Sequence, residues 1–206
     1  MSSFKDILLI SFLFFLGCGP KPYITPEGKV LAKSHNIIAI LPPNIFSDDT
    51  KNSNPEFLEF GNNSESYLFQ EEIYMSFLKR KAKEVADIEV QSIETTNSFL
   101  YKKKEGLYQM NVDSICNILN VDALITSQFE IEPQTPLLFR ILIMLLEQGY
   151  VVDDRDIEIS LSIKDCAEGS IVWNYTDIGN GVSPSRVVKS LLTKATKRMP
   201  YFMEEK

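Results

Sequence analysis

Asp156-Ile-Glu-Ile-Ser-Leu-Ser-Ile163 and Ser170-Ile-Val-Trp-Asn-Tyr-Thr-Asp-Ile178 stand either side of Lys-Asp-Cys-Ala-Glu-Gly. In the first segment Ile157, Ile159, Leu161 and Ile163 fall at every second position. Successive side chains of a strand point to opposite faces, so this spacing predicts a strand with one apolar face. The second segment alternates again, and Gly169 lies in the turn between them. The pair therefore reads as an antiparallel hairpin. Trp173, the one tryptophan, sits inside the second arm and is expected in the core.

Upstream of the hairpin the pattern changes. Asn36-Ile-Ile-Ala-Ile-Leu41 is a continuous apolar run closed by Pro42-Pro43, the signature of a central strand buried on both faces. Residues 44–66 are polar and read as a long loop. Tyr67, Tyr74, Phe77, Leu78 and Val85 recur at helical spacings and predict a helix over about 65–86. Lys79, Arg80, Lys81 and Lys83 gather at its C-terminal end, where they favour the helix dipole. Ile88–Ile93 reads as a second strand and 97–109 as partly helical, broken at Gly106. Val112–Leu119 reads as a short amphipathic helix, with Asn111 or Asp113 near its cap, followed by a third strand from Ala123 to Ile131. After the hairpin, Ser183-Pro184 opens a helix whose buried stripe is Val187, Val188, Leu191, Leu192, Ala195 and Met199, and Pro200 stops it. Strands alternating with helices imply parallel pairing, and the late hairpin implies an antiparallel part of the same sheet. The expected fold is α/β: a single three-layer-like domain with a mixed sheet, parallel in its first part and antiparallel in its C-terminal hairpin, flanked by helices.

Composition limits the function. The 206 residues carry 28 acidic and 21 basic side chains, a net charge of −7, which argues against nucleic acid as a partner. A single histidine excludes any catalytic or metal scheme that needs two. Ile7–Gly17 is apolar and follows Lys5; as a helix it would span about 16 Å, half a bilayer core. A basic start, a short apolar run and a small residue at its end describe a secretory signal. The run closes on Phe15-Leu16-Gly17-Cys18, which resembles the lipobox of bacterial lipoproteins, with Phe15 in place of the usual Leu and Leu16 in place of a small residue. The resemblance implies cleavage before Cys18, diacylglycerol on its thiol and acylation of the new amine. Several acyl chains on one residue make a firm anchor, because each buried CH₂ contributes ~0.8 kcal/mol. On this reading residues 1–17 are a signal peptide, 18–34 (with Pro20, Pro22, Pro26 and Gly28) a lipidated tether without fixed structure, and 35–206 the α/β body. Cys116 and Cys166 then remain. Cys116 lies beside Ile115 and Leu119 in an amphipathic stretch and Cys166 in a turn, so two separate thiols are expected, with a disulfide as the alternative for an exported protein.

Three patches of the body resemble one group. Asn36–Ile45 resembles the proline-closed first strand of periplasm-facing lipoproteins related to the curli-secretion lipoprotein CsgG, the synthase activator LpoB and the N-terminal domain of TolB. Ile118–Ile131 resembles their segment of helix, aspartate and Ala-Leu-Ile strand. Ile157–Thr176 resembles their hairpin with an Asp-x-x-x-Gly turn and an Ile-Val-Trp strand. The resemblance implies an α/β body facing the periplasm, a role in envelope assembly, secretion or activation of a partner, and a protein partner or self-association. It supplies no catalytic residue, and this chain has no evident transmembrane hairpin of the pore-forming members. Gly19 stands where many enterobacterial lipoproteins carry an inner-membrane retention aspartate, which favours the outer membrane.

The remaining chemistry is sparse. Asp48, Thr50, Asn52, Asn54 and Glu59 approach calcium-loop spacing, but Ser53 replaces the required glycine and Pro55 follows, so a solvated loop is the better account. Asp153, Asp154 and Asp156 surround Arg155 and read as a solvated turn. His35 has no second histidine near it. No enzyme activity, cofactor or metal is expected. The apolar insertion at about 132–152, with Arg140 the one charge between Leu137 and Leu146, is too short to span a bilayer and reads either as core or as a membrane- or partner-facing element. Ligand binding or envelope sensing is the alternative function, with 44–66 or 137–150 forming a pocket edge.

Overall fold

The computed structural model describes residues 22–47, 64–84, 86–102, 110–133 and 155–202. Their elements in chain order are β1 (Tyr23–Ile24), α1 (Gly28–Ser34), β2 (Ile37–Ile40), β3 (Asn44–Ser47), α2 (Ser64–Lys81), β4 (Glu89–Val90), α3 (Ile93–Lys102), α4 (Val112–Leu119), β5 (Ala123–Pro133), β6 (Arg155–Asp165), β7 (Ile171–Gly181) and α5 (Pro184–Thr196), ending in a 3₁₀ turn (Pro200–Phe202). They build one α/β domain around a mixed sheet of order β1-β7-β6-β5-β2-β4, in which β3 also pairs with β5. β2 runs parallel to β4 and β5, whereas β5, β6 and β7 form an antiparallel meander. The expected mixed sheet is thus the observed one.

Pro42 and Pro43 explain a break in it. Neither has an N–H to give the ladder. β2 therefore stops at Ile40 and β3 starts at Asn44, and both pair in parallel along the same edge of β5, Ile38–Ile40 against Ala123–Ile125 and Asn44–Ser47 against Gln128–Ile131. The 44–66 stretch thus opens with a strand rather than a loop.

Two apolar layers cover the sheet. One face, with Ile38, Ile125, Phe129, the four alternating apolar residues of β6, Trp173 and Tyr175, packs under Ala32 of α1, Phe69, Ile73 and Phe77 of α2, and the stripe of α5. The other face holds Ala39, Leu41 and Leu124 against Leu100 of α3 and Cys116 and Leu119 of α4. Trp173 is fully buried, as expected. A bulge carries it there: Ile163 pairs with Trp173 and Lys164 with Ile171, which leaves Val172 as the extra residue. The Val172 carbonyl is free of the β6 ladder and accepts from Thr25 N–H at 3.2 Å.

Three expectations are corrected. The 18–34 tether does not extend through residue 34: β1 pairs with β7 and α1 packs on the core through Ala32. Ile88–Ile93 is not a strand of that length. Pairing is confined to Glu89–Val90, because the Ser92 hydroxyl accepts from Thr95 N–H at 3.2 Å and starts α3 at Ile93. The two cysteines are not separate thiols but form a disulfide, Cys116–Cys166. The calcium-like loop, Asp153, Asp154, Cys18 and the apolar segment 137–150 lie outside the described residues. Among the described residues, no helix is long and apolar enough to cross a membrane.

Candidate functional site: a buried His–Asp–Tyr chain under an acidic cleft

α1 ends at Ser34, and extended backbone at His35 turns the chain into β2. That reversal points the His35 imidazole inward, where it is buried. Nε2 lies 3.0 Å from Asp165 Oδ1, and Nδ1 lies 2.9 Å from the Tyr201 hydroxyl. Asp165 is the last residue of β6. Its backbone N–H closes the hairpin turn on Ser170 O, and its second carboxylate oxygen accepts from Glu168 N–H at 2.8 Å. Tyr201 belongs to the C-terminal 3₁₀ turn, its ring edge-on to Phe77 of α2. One imidazole therefore joins three segments that are remote in sequence.

Asp122 continues the cluster. Its carboxylate accepts from the N–H groups of Asn36 (2.7 Å) and Ile37 (3.0 Å), so it holds the first turn of β2 beside His35. Burial pushes this carboxyl up, but the two N–H bonds, the Asn36 side chain and the nearby His35 outweigh it and hold it below the usual carboxylate range. Tyr201 moves the other way: burial, then the negative charges of Asp165 and Asp122, push its phenol far above its ordinary value. The hydroxyl thus stays protonated and is able to donate to or accept from the imidazole. Nε2–H donates to the Asp165 carboxylate, and Nδ1 shares a hydrogen bond with the Tyr201 hydroxyl whose direction follows the tautomer. Both ring nitrogens are then used inside the fold.

Above the cluster lies a cleft of about 300 Å³, lined by Ser34, His35, Asp113, Cys116, Asn117, Val121, Asp122, Asp165, Cys166 and Ala167. Its wall is the disulfide, which joins α4 to the turn after β6 with Cα atoms 5.8 Å apart. Asn111 fixes α4 from one end, its side chain accepting from Ser114 N–H at 2.9 Å, and Asn120 closes the other end in the left-handed region (φ 53°). Among the described residues, no group of three or more His, Cys, Asp or Glu side chains is placed to hold a metal ion. Of the residues singled out from the sequence, the structure places His35 and both body cysteines at this cleft; Asp156 lies elsewhere, paired to Glu132 in the sheet. Asp122 and Asp165 stood in the aspartate–strand patch and the Asp-x-x-x-Gly turn, with nothing in either to say that they meet His35, and Tyr201 carried no motif. Only the expectation of export, which makes a cysteine pair plausible chemistry, pointed toward the disulfide.

No family model matches the chain, and no curated protein matches it. Similarity to solved structures is found at low identity. The lipoprotein GNA1162 from Neisseria meningitidis shares 11% identity at a TM-score of 0.48, covering 79% of this chain and 96% of that one. A PelC dodecamer from Paraburkholderia phytofirmans shares 12% at 0.44, with 80% and 87% covered. The LpoB C-terminal domain from Salmonella enterica shares 9% at 0.39, with 70% and 82% covered.

Proposed function

We propose that this chain is a lipid-anchored envelope protein, cleaved before and acylated on Cys18, whose α/β body is a non-catalytic interaction domain on the periplasmic side of the outer membrane, serving envelope assembly, secretion or activation of a protein partner. The observation that carries the reading is the apolar run Ile7–Gly17 stopping at Cys18. The site supports the non-catalytic part. Catalysis needs a group able to exchange a proton or electron pair with a substrate, whereas both His35 nitrogens face partners within the fold and the Tyr201 hydroxyl is bonded to one of them. The buried disulfide suits an oxidising compartment. Mass spectrometry of the mature N-terminus tests the anchor. The expected species begins at Cys18 with diacylglycerol and an N-acyl chain, and Cys18→Ala abolishes membrane fractionation. An uncleaved, unmodified Cys18 overturns the reading.

One observation favours a second reading, ligand binding. The cleft is open and carries Asp113, Asp122 and Asp165 on its walls, which suits a small cation-bearing molecule rather than an anion. This pocket lies at α4 and the β6–β7 turn; the described residues of 44–66 do not line it, and 137–150 lies outside the described residues.

A further inference from the structure

We infer that the β1–α1 edge of the sheet is a membrane-contacting surface that rests on the phospholipid headgroups, fixing the body with its opposite edge, β4 and α3, directed away from the bilayer. The inference rests on the acylation of Cys18 proposed above. It turns on the place of β1 in the sheet. Tyr23 already pairs with Asn174 in the sheet. Tyr23 is the fifth residue after Cys18, and a fully extended chain covers at most about 18 Å over those five steps. A tether through residue 34 would have allowed the body to stand well clear of the membrane. A link this short holds β1 beside the headgroups.

The side chains at this edge suit such a surface. Tyr23 is 61% exposed, Val30 72% and Ile171, at the start of the neighbouring β7, 42%. Tyrosine, with an apolar ring and a polar tip, favours the membrane–water boundary. Lys29 and Lys33 are exposed on α1, with Glu27 at its N-cap, so α1 brings two basic residues and one acidic residue to this part of an acidic protein, a balance compatible with anionic lipid. The far edge of the sheet lies five strand spacings away, about 24 Å. There α3 exposes Tyr101 (73%), an aromatic equally open to solvent but directed from the opposite end. Exposure alone therefore does not distinguish the two ends; the chain length to Cys18 does.

Photocrosslinking of the lipidated full chain in vesicles of phosphatidylethanolamine and phosphatidylglycerol tests this. p-Benzoylphenylalanine is placed singly at Tyr23, Val30 or Tyr101, flotation reports anchoring, and mass spectrometry reports adducts. The expected result is flotation of all three variants, with phospholipid adducts at 23 and 30 at least tenfold above those at 101. Flotation with adducts at 101 equal to or above those at 23 and 30, with no lipid adduct at any position, or with protein adducts in place of lipid at 23 and 30, overturns the orientation and leaves the anchor intact. A chain that fails to float and retains residues 1–17 overturns both.

Discussion

His35 shows how one side chain can be structural where its chemistry suggests more. A lone histidine flanked by a carboxylate and a phenol has the parts of a proton relay, yet here it links the α1–β2 reversal, the β6–β7 turn and the C-terminus. Removing it takes the imidazole partner from one oxygen of a buried carboxylate and from a buried hydroxyl. His35→Ala is expected to cost about 2–4 kcal/mol in urea unfolding, while Tyr201→Phe, which removes one hydroxyl and keeps the ring, costs about 1–2 kcal/mol. Equal losses would refute the linking role. Titration gives a second test. Tyr201 is raised in the folded state, and Tyr175 is pushed up to about 12, first by burial and then by its bond to Asp177. The unfolded phenols lose their protons first, near pH 10, so their stabilisation is complete below that pH and is lost as pH rises toward 12. Asp122 is lowered, so its contribution is present above about pH 4 and disappears as pH falls through its folded value. Thermal melts across pH are expected to show a loss at both ends, and absorbance at 295 nm should lose its high-pH ionisation step for Tyr175 in a Tyr175→Phe variant.

At the scale of elements, periodicity was a good guide where packing and local chemistry agreed. The α5 stripe, the α4 cap at Asn111 and the turn at Gly169, with φ of 66°, are all as the residues imply. It failed at 88–93, where an alternating apolar pattern competed with a hydroxyl cap at Ser92 and the cap won. It also missed β1 and α1, because Pro20, Pro22 and Pro26 resemble a linker, while the partner that orders this segment is an edge carbonyl exposed by a bulge about 150 residues away. Close packing makes its own prediction. A Cβ on Gly179 would meet Val187 Cγ1 at 2.9 Å and Leu191 at 3.3 Å, so α5 lies against β7 with no room for a methyl group. Gly179→Ala is expected to destabilise by about 1–3 kcal/mol, read as a fall in melting temperature.

At the scale of the whole molecule the disulfide is the main cross-tie. It closes a separation of 50 residues and fastens α4, which packs on one face of the sheet, to the end of β6. The chain-entropy account gives about 4 kcal/mol for a loop of that size. The Cys116→Ser, Cys166→Ser double variant is expected to lose about 2–4 kcal/mol, and reducing agent should lower the melting temperature of the native protein but not of the variant. An equal response of the two would rule out the cross-link as the source.

The amino-acid sequence by itself determined the strands and helices with a strong repeat and the mixed character of the sheet, because side-chain period is a local property. The tertiary structure alone decided that His35, Asp122, Asp165 and Tyr201 converge, that Cys116 and Cys166 meet, and that β1 and α1 belong to the body. Those outcomes depend on which edges of the sheet become neighbours. That is set by the burial of two apolar faces at once, and no stretch of the chain records it alone.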